Sequence, residues 1–150
     1  MSIIYKNGDL FLAPQKVIIH GCNAQGIFGS GVAKQVKDKY RNVYEIYHLR
    51  YKTFGLDVGN IIPVATLDGK IVVNAITQKF YGRDSNIVYV DYNALAACFI
   101  KLNERALDWE VKEMAMPKIG AGLANGDWAI IEEIIDQSAI NYTPIVYSID

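Results

Sequence analysis

The sequence has little of what builds metal sites or disulfide frameworks. It contains two cysteines, Cys22 and Cys98, and two histidines, His20 and His48, with no C-x-x-C pair. That spacing argues against a structural zinc site, and no metal ligands are expected. Unpaired cysteines point to reduced thiols and a cytoplasmic location. No apolar run approaches the about 20 residues needed to cross a bilayer, and the opening MSIIYKNGDL has neither the basic segment nor the apolar stretch of a secretion signal. Membrane association is therefore not expected. The formal net charge of −1 supplies no broad basic surface. It argues against extended nucleic-acid binding and leaves room for local contacts to one small or terminal nucleotide. Internal repeats, linkers and low-complexity segments are absent. The segment GIFGSG lacks the G-x-G-x-x-G spacing of a dinucleotide fold and the Lys-Ser/Thr ending of a P-loop, so those two phosphate-binding families are set aside.

What is present is an ordinary globular composition, 51% apolar and 21% charged over 150 residues. That length suits a single domain, 1–150, with a sizeable core. Short apolar, mostly β-branched runs recur at 3–5, 17–19, 61–64, 71–73, 114–116 and 145–147, as in strands buried on both faces. Helical patterns lie between them at about 30–40, 42–54, 91–106 and 127–138. This alternation predicts an α/β sandwich. Asp68-Gly69 reads as a tight hairpin turn, which makes one strand pair antiparallel and the sheet mixed. Asp91 and Asp127 each stand where a helix N-cap is expected. The tyrosine-rich run RNVYEIYHLRYKTF has helical spacing and is read as a partly buried face, and Met114 and Met116 as core fillers.

Two glycine-rich segments carry the functional signal: HGCNAQGIFGSGVA at 20–33 and PKIGAGLANGDW at 117–128. Glycines let backbone N–H groups approach an anion, and a helix starting after each loop adds the positive end of its dipole. Two such cradles suggest one diphosphate ligand, although a turn with tight helix packing would also use these glycines.

Together with NGDLF at 7–11, IVVNAITQKFYG at 71–82 and a final PIVYSI, these segments resemble the macrodomain family over nearly the whole chain. The loop ending GSGVA and the segment PKIGAGLANGDW are most similar to the branch of ADP-ribose 1″-phosphate phosphatases and glutamate-directed ADP-ribosyl hydrolases. The resemblance implies a three-layer α/β/α fold with a mixed, roughly six-stranded sheet. It also implies a small-molecule ligand, ADP-ribose or its 1″-phosphate, with no cofactor. No sustained heptad pattern suggests an oligomer, and a monomer is expected.

Carried over residue by residue, the resemblance has Asp9 accept from the adenine amino group beside Leu10, with Tyr147 stacking on the ring. A turn aspartate and a core tyrosine are the rival roles. Asn23 would bind the distal ribose hydroxyls, or support the loop as a turn asparagine. Gly29, Ser30, Gly31 and Val32 would wrap the diphosphate from one side, and Gly120, Ala121, Gly122 and Leu123 from the other. For catalysis the resemblance singles out His20 and Asp127 as an acid–base pair, or one of them as the group that activates water, with Asn23 positioning the sugar. A core histidine and a helix cap compete with those roles. The glutamate-directed enzymes use a lysine and an aspartate at positions that fall here on Gln78 and Ala124, with Lys79 adjacent. That departure favours the phosphatase, hydrolysing ADP-ribose 1″-phosphate to ADP-ribose and phosphate without a metal. A hydrolase removing ADP-ribose from modified protein or nucleic acid and a non-catalytic binding module are the alternatives.

Overall fold

A computed structural model describes residues 2–149. In chain order the strands are β1 (Ile4–Asn7), β2 (Val17–Asn23), β3 (Ile61–Ala65), β4 (Ile71–Gln78), β5 (Glu113–Met116) and β6 (Thr143–Ser148). The helices are α1 (Gly31–Lys39), α2 (Arg41–Phe54), α3 (Tyr92–Asp108) and α4 (Trp128–Ser138), with a 3₁₀ turn at Leu10–Leu12. The strands form one six-stranded sheet in the order β1-β6-β5-β2-β4-β3. Every neighbouring pair is parallel except β3 with β4. The exception sits at the Asp68-Gly69 turn, where Thr66 and Lys70 close the hairpin by a 2.9 Å backbone bond.

Central strands buried on both faces explain the near-continuous apolar runs. On one face Leu95, Phe99 and Leu102 of α3 and Ile131 and Ile135 of α4 pack with Ile19, Val73, Met114 and Met116. On the other, Val36 of α1 and Val43 and Tyr47 of α2 pack with Cys22, Val72 and Ile76. The molecule is therefore a three-layer α/β/α sandwich with a mixed sheet. Both strand methionines are fully buried, as their alternation with Ala115 implies.

The sequence reading started the first glycine-rich loop at His20, whereas β2 runs on through Asn23. Parallel pairing of His20 with Asn74 and Gly21 with Ala75 supplies ladder bonds that apolarity alone does not reveal. Asp91 caps α3 as expected, accepting from the Ala94 N–H at 3.0 Å. Asp91→Ala should lower stability by about 1 kcal/mol, read by urea unfolding; an unchanged midpoint would discount the cap.

A cavity between two glycine-rich loops

Five parallel strands direct their carboxyl ends to one edge of the sheet, the usual place for a ligand crevice in an α/β protein. At that edge a cavity of about 720 Å³ opens between the segment after β2 and the segment after β5. Gly29, Ser30, Gly31, Val32 and Ala33 form one wall, and Pro117–Gly120 with Gly122–Ala124 form the opposite one. The end of β4 closes the base with Thr77 and Gln78, followed by Tyr81, Gly82 and Arg83.

The first wall is the start of α1. Ser30 is its N-cap, yet its hydroxyl makes no capping bond. The first residues of the helix, Gly31, Val32 and Ala33, line the cavity, so the positive end of the helix dipole adjoins it, a favourable setting for an anion. The second wall is a tight turn, closed by Gly126 N–H donating to the Gly120 carbonyl at 2.7 Å. Gly120 has φ +81°, and a Cβ there would stand 2.9 Å from the Val90 side chain, so both backbone and space require glycine. Gly120, Gly122 and Leu123 line the cavity. Ala121 differs from expectation: its N–H donates to the Lys118 carbonyl at 3.2 Å and its side chain packs against the α3/α4 core.

Asn23 stands at the cavity, but its carboxamide holds the loop together. Nδ2 donates to the Ile27 carbonyl and Oδ1 accepts from the Gln25 N–H, each at 2.9 Å. The buried Tyr47 hydroxyl donates to the Asn23 carbonyl at 2.6 Å. The turn-supporting role is thus visible in the geometry, and contact with a sugar diol would be added to it.

Neither His20 nor Asp127, the expected acid–base pair, is in the cavity lining. His20 is fully buried on the α1/α2 side of the sheet, edge-on to Phe28 with ring centroids 5.1 Å apart. Its Nε2 lies 2.6 Å from Asn74 Oδ1. Burial lowers its pKa to about 4, partly opposed by the Asn74 hydrogen bond, so the ring is neutral near pH 7. Asp127 belongs to the other face, where it caps α4 by accepting from the Ala129 N–H at 2.9 Å. Alternation along β2 turns the side chain at position 20 into the core, and the connection before α4 places position 127 beyond the cavity wall.

Leu10 and Tyr147 cluster with Val32 packed against them, and neither they nor Asp9 are in the cavity lining. Asp9 is exposed and accepts from the Phe11 N–H at 2.9 Å, so it already serves the 3₁₀ turn. Leu10 and Tyr147 are each 8% exposed. The Tyr147 hydroxyl donates to Gln15 Oε1 at 2.8 Å. The ring occupies the core position that competed with stacking.

Residues missed in the sequence complete the cavity: Cys22, Thr77, Gln78, Tyr81, Arg83 and Lys118. Each sits at a strand's carboxyl end or in the loop that follows, which is the signal that could have found them. Among the described residues Arg83 and Lys118 are the charged side chains of the lining, so its electrostatic bias is toward anions. Cys22 is not an activated nucleophile, because burial drives its thiol pKa well up. Lys79 is exposed over the Phe80 ring and is not part of the lining. Gln78 Nε2 donates to the Phe80 carbonyl at 2.8 Å. Among the described residues no group of three or more His, Cys, Asp or Glu could hold a metal ion, and no helix is long and apolar enough to cross a membrane.

Comparison with known proteins agrees with this arrangement. Over 153 aligned residues the chain is 28% identical to the DNA ADP-ribosyl glycohydrolase of Mycobacterium tuberculosis. That alignment takes in 95% of this chain and 42% of the relative, so the chain spans about two fifths of that protein's length. A 41-residue stretch is 54% identical to the ADP-ribose 1″-phosphate phosphatase of Neosartorya fischeri, covering 27% of this chain and 20% of that protein. A solved structure of a protein of unknown function from Bacteroides thetaiotaomicron superposes with a TM-score of 0.87 at 29% identity, covering 98% of both chains. The Macro domain family matches residues 19–135, from the middle of β2 into α4, taking in both glycine-rich walls. The chain belongs to the Macro domain family.

Proposed function

We propose that this macrodomain binds ADP-ribose in the cavity and hydrolyses ADP-ribose 1″-phosphate to ADP-ribose and phosphate. The observation that carries the reading is the lining itself. Two backbone walls face each other across a space of nucleotide size, and among the described residues the charged side chains of the whole lining are two cations, Lys118 in one wall and Arg83 at the base. A diphosphate fits between Gly29–Val32 and Gly120–Leu123, where amide dipoles favour negative charge. A terminal phosphomonoester adds further negative charge, which the two cations complement. The adenine end would then lie toward Val32, Leu10 and Tyr147, with Asp9 at the rim.

Hydrolysis joins a water oxygen to phosphorus and breaks the bond from phosphorus to the C1″ oxygen, and the proton that the attacking water gives up balances the one taken by the departing oxygen. The neutral, enclosed His20 and the helix-capping Asp127 support structure rather than this transfer. Asn23 acts by holding the loop that presents the distal ribose. The protein's contribution is then chiefly positioning and electrostatic stabilisation.

The test is phosphate release from ADP-ribose 1″-phosphate in the presence of a chelator, with ADP-ribose binding followed by calorimetry. Release under chelation is the expected result; binding without release would refute the phosphatase. Arg83→Ala should weaken binding of the 1″-phosphate about threefold to tenfold, with a larger effect at low salt, as for one exposed cation. Equal affinity across salt concentrations would remove Arg83 from the site.

The alignment across nearly the whole chain to a DNA ADP-ribosyl glycohydrolase favours a second reading, removal of ADP-ribose from a modified macromolecule. Against it stand Gln78 and Ala124, which occupy the positions where the resemblance places a lysine and an aspartate. Release of ADP-ribose from a modified oligonucleotide, with none of the phosphate from the 1″-ester, would establish that reading instead.

A further inference from the structure

Residues 79–91 connect β4 to α3 without regular structure, and they carry Tyr81, Gly82 and Arg83 into the cavity lining. An irregular connection keeps one shape only where its backbone groups find partners. Two side chains outside the lining supply partners around Arg83: Tyr89 from the connection itself, and Asn125 from the segment of the second wall. Just before Arg83, Gly82 leaves room for the Tyr89 ring, since a Cβ there would collide with the Tyr89 hydroxyl. Just after it, the Asp84 N–H donates to that hydroxyl at 3.2 Å. The Asp84 carbonyl accepts from Asn125 Nδ2 at 3.0 Å, and the same nitrogen donates to the Ile87 carbonyl at 2.8 Å. The Tyr89 N–H closes the circuit by donating to the Ala124 carbonyl at 2.8 Å.

Asn125 has φ +59°, in the left-handed region that glycine enters freely and asparagine more readily than most residues. Gly120, Gly122 and Gly126 already surround it in the sequence. A glycine at 125 would satisfy the backbone and lack only the carboxamide, so the carboxamide is what this position supplies. Both of its partners are carbonyl oxygens, which fixes the amide nitrogen toward them. The Asn125 N–H in turn donates to the carbonyl of Gly122, a lining residue, at 3.0 Å. One residue thus ties the Arg83 segment to the second wall. We infer that Asn125, assisted by Tyr89, is a positioning residue that holds Arg83 in place before an anionic ligand arrives, so that less freedom is lost on binding. This deepens the ADP-ribose reading above and rests on it.

The experiment measures ADP-ribose binding by calorimetry at low salt for wild type, Asn125→Gly, Arg83→Ala and the double variant. Glycine removes the carboxamide and keeps the backbone conformation. Asn125→Gly should weaken binding about threefold to fivefold, as Arg83→Ala does, and the double variant should be no weaker than Arg83→Ala alone. Tyr89→Phe, which keeps the ring, should give a smaller loss that also vanishes when Arg83 is absent. In the free protein, hydrogen exchange of the Tyr89 amide should quicken in Asn125→Gly while exchange in β2 and β4 stays as in wild type. Losses that multiply in the double variant, an unaltered affinity in Asn125→Gly, or unchanged exchange at Tyr89 would each overturn the inference. Wild type that binds ADP-ribose but releases no phosphate from the 1″-ester would reject the phosphatase, and the same cycle would still decide the role of Asn125. Wild type that binds no ADP-ribose would overturn both readings.

Discussion

Gly122→Glu is expected to abolish ADP-ribose binding while the protein stays folded. A Cβ at position 122 meets nothing within 4 Å, and the residue is not in the left-handed region that favours glycine, so the substitution introduces no clash. It does place a carboxylate on the wall proposed to face the diphosphate. Two like charges about 4 Å apart repel by about 4 kcal/mol at the effective dielectric of a protein surface, enough to weaken binding by more than about 100-fold. Calorimetry should find no measurable heat with ADP-ribose, and thermal melting should match wild type. Binding within threefold of wild type would remove this wall from the site. Gly126→Ala provides the contrast. Its Cβ would stand 2.5 Å from the Gly120 carbonyl oxygen and 2.7 Å from Ile131 Cδ1, so that variant should lose stability first and binding only as a consequence.

Acid should destabilise the protein through His20, beginning above the range where carboxylates titrate. The pKa is depressed from 6.5 to about 4 in the folded state, first by desolvation. Between those values the unfolded chain binds a proton that the folded chain excludes. The stabilisation is therefore fully present above pH 6.5, declines as pH falls toward 4, and changes no further below that. The window corresponds to about 3 kcal/mol. Urea unfolding of wild type and His20→Gln between pH 7 and 4 isolates the contribution, since carboxylates common to both cancel. Parallel pH dependences would show that His20 is not a buried neutral ring. The same experiment bears on catalysis, because an imidazole of low pKa sealed among Asn74, Cys22 and Phe28 is a poor proton shuttle near neutral pH.

The parts of the molecule legible in the sequence are those that depend on neighbours along the chain. The tyrosine-rich segment declared one buried face by its spacing, and Val43 and Tyr47 are that face. The hairpin at Asp68-Gly69 and the caps at Asp91 and Asp127 follow from local hydrogen bonding and backbone conformation. Asp127 shows the ambiguity that such local signals leave. The same residue satisfied an expectation for a cap and one for a catalyst, and only its position relative to the sheet separates the two. His20 was ambiguous for a related reason, since strand residues next to a glycine-rich loop face either ligand or core.

By itself the amino-acid sequence determined the α/β order of elements, the buried periodicities, the family resemblance and the two glycine-rich segments that face each other across the cavity. These rest on interactions within a few residues, or on backbone freedom encoded by the residue type. Tertiary structure alone decided which side chains share the cavity. Arg83 follows β4 and Lys118 follows β5, and they line one cavity with the segment after β2 only because parallel pairing brings the carboxyl ends of β2, β4 and β5 to one edge. The β2–β4 ladder likewise skips Thr77, a bulge that exists only in the pairing of two strands more than 50 residues apart, and no local pattern in either strand specifies it.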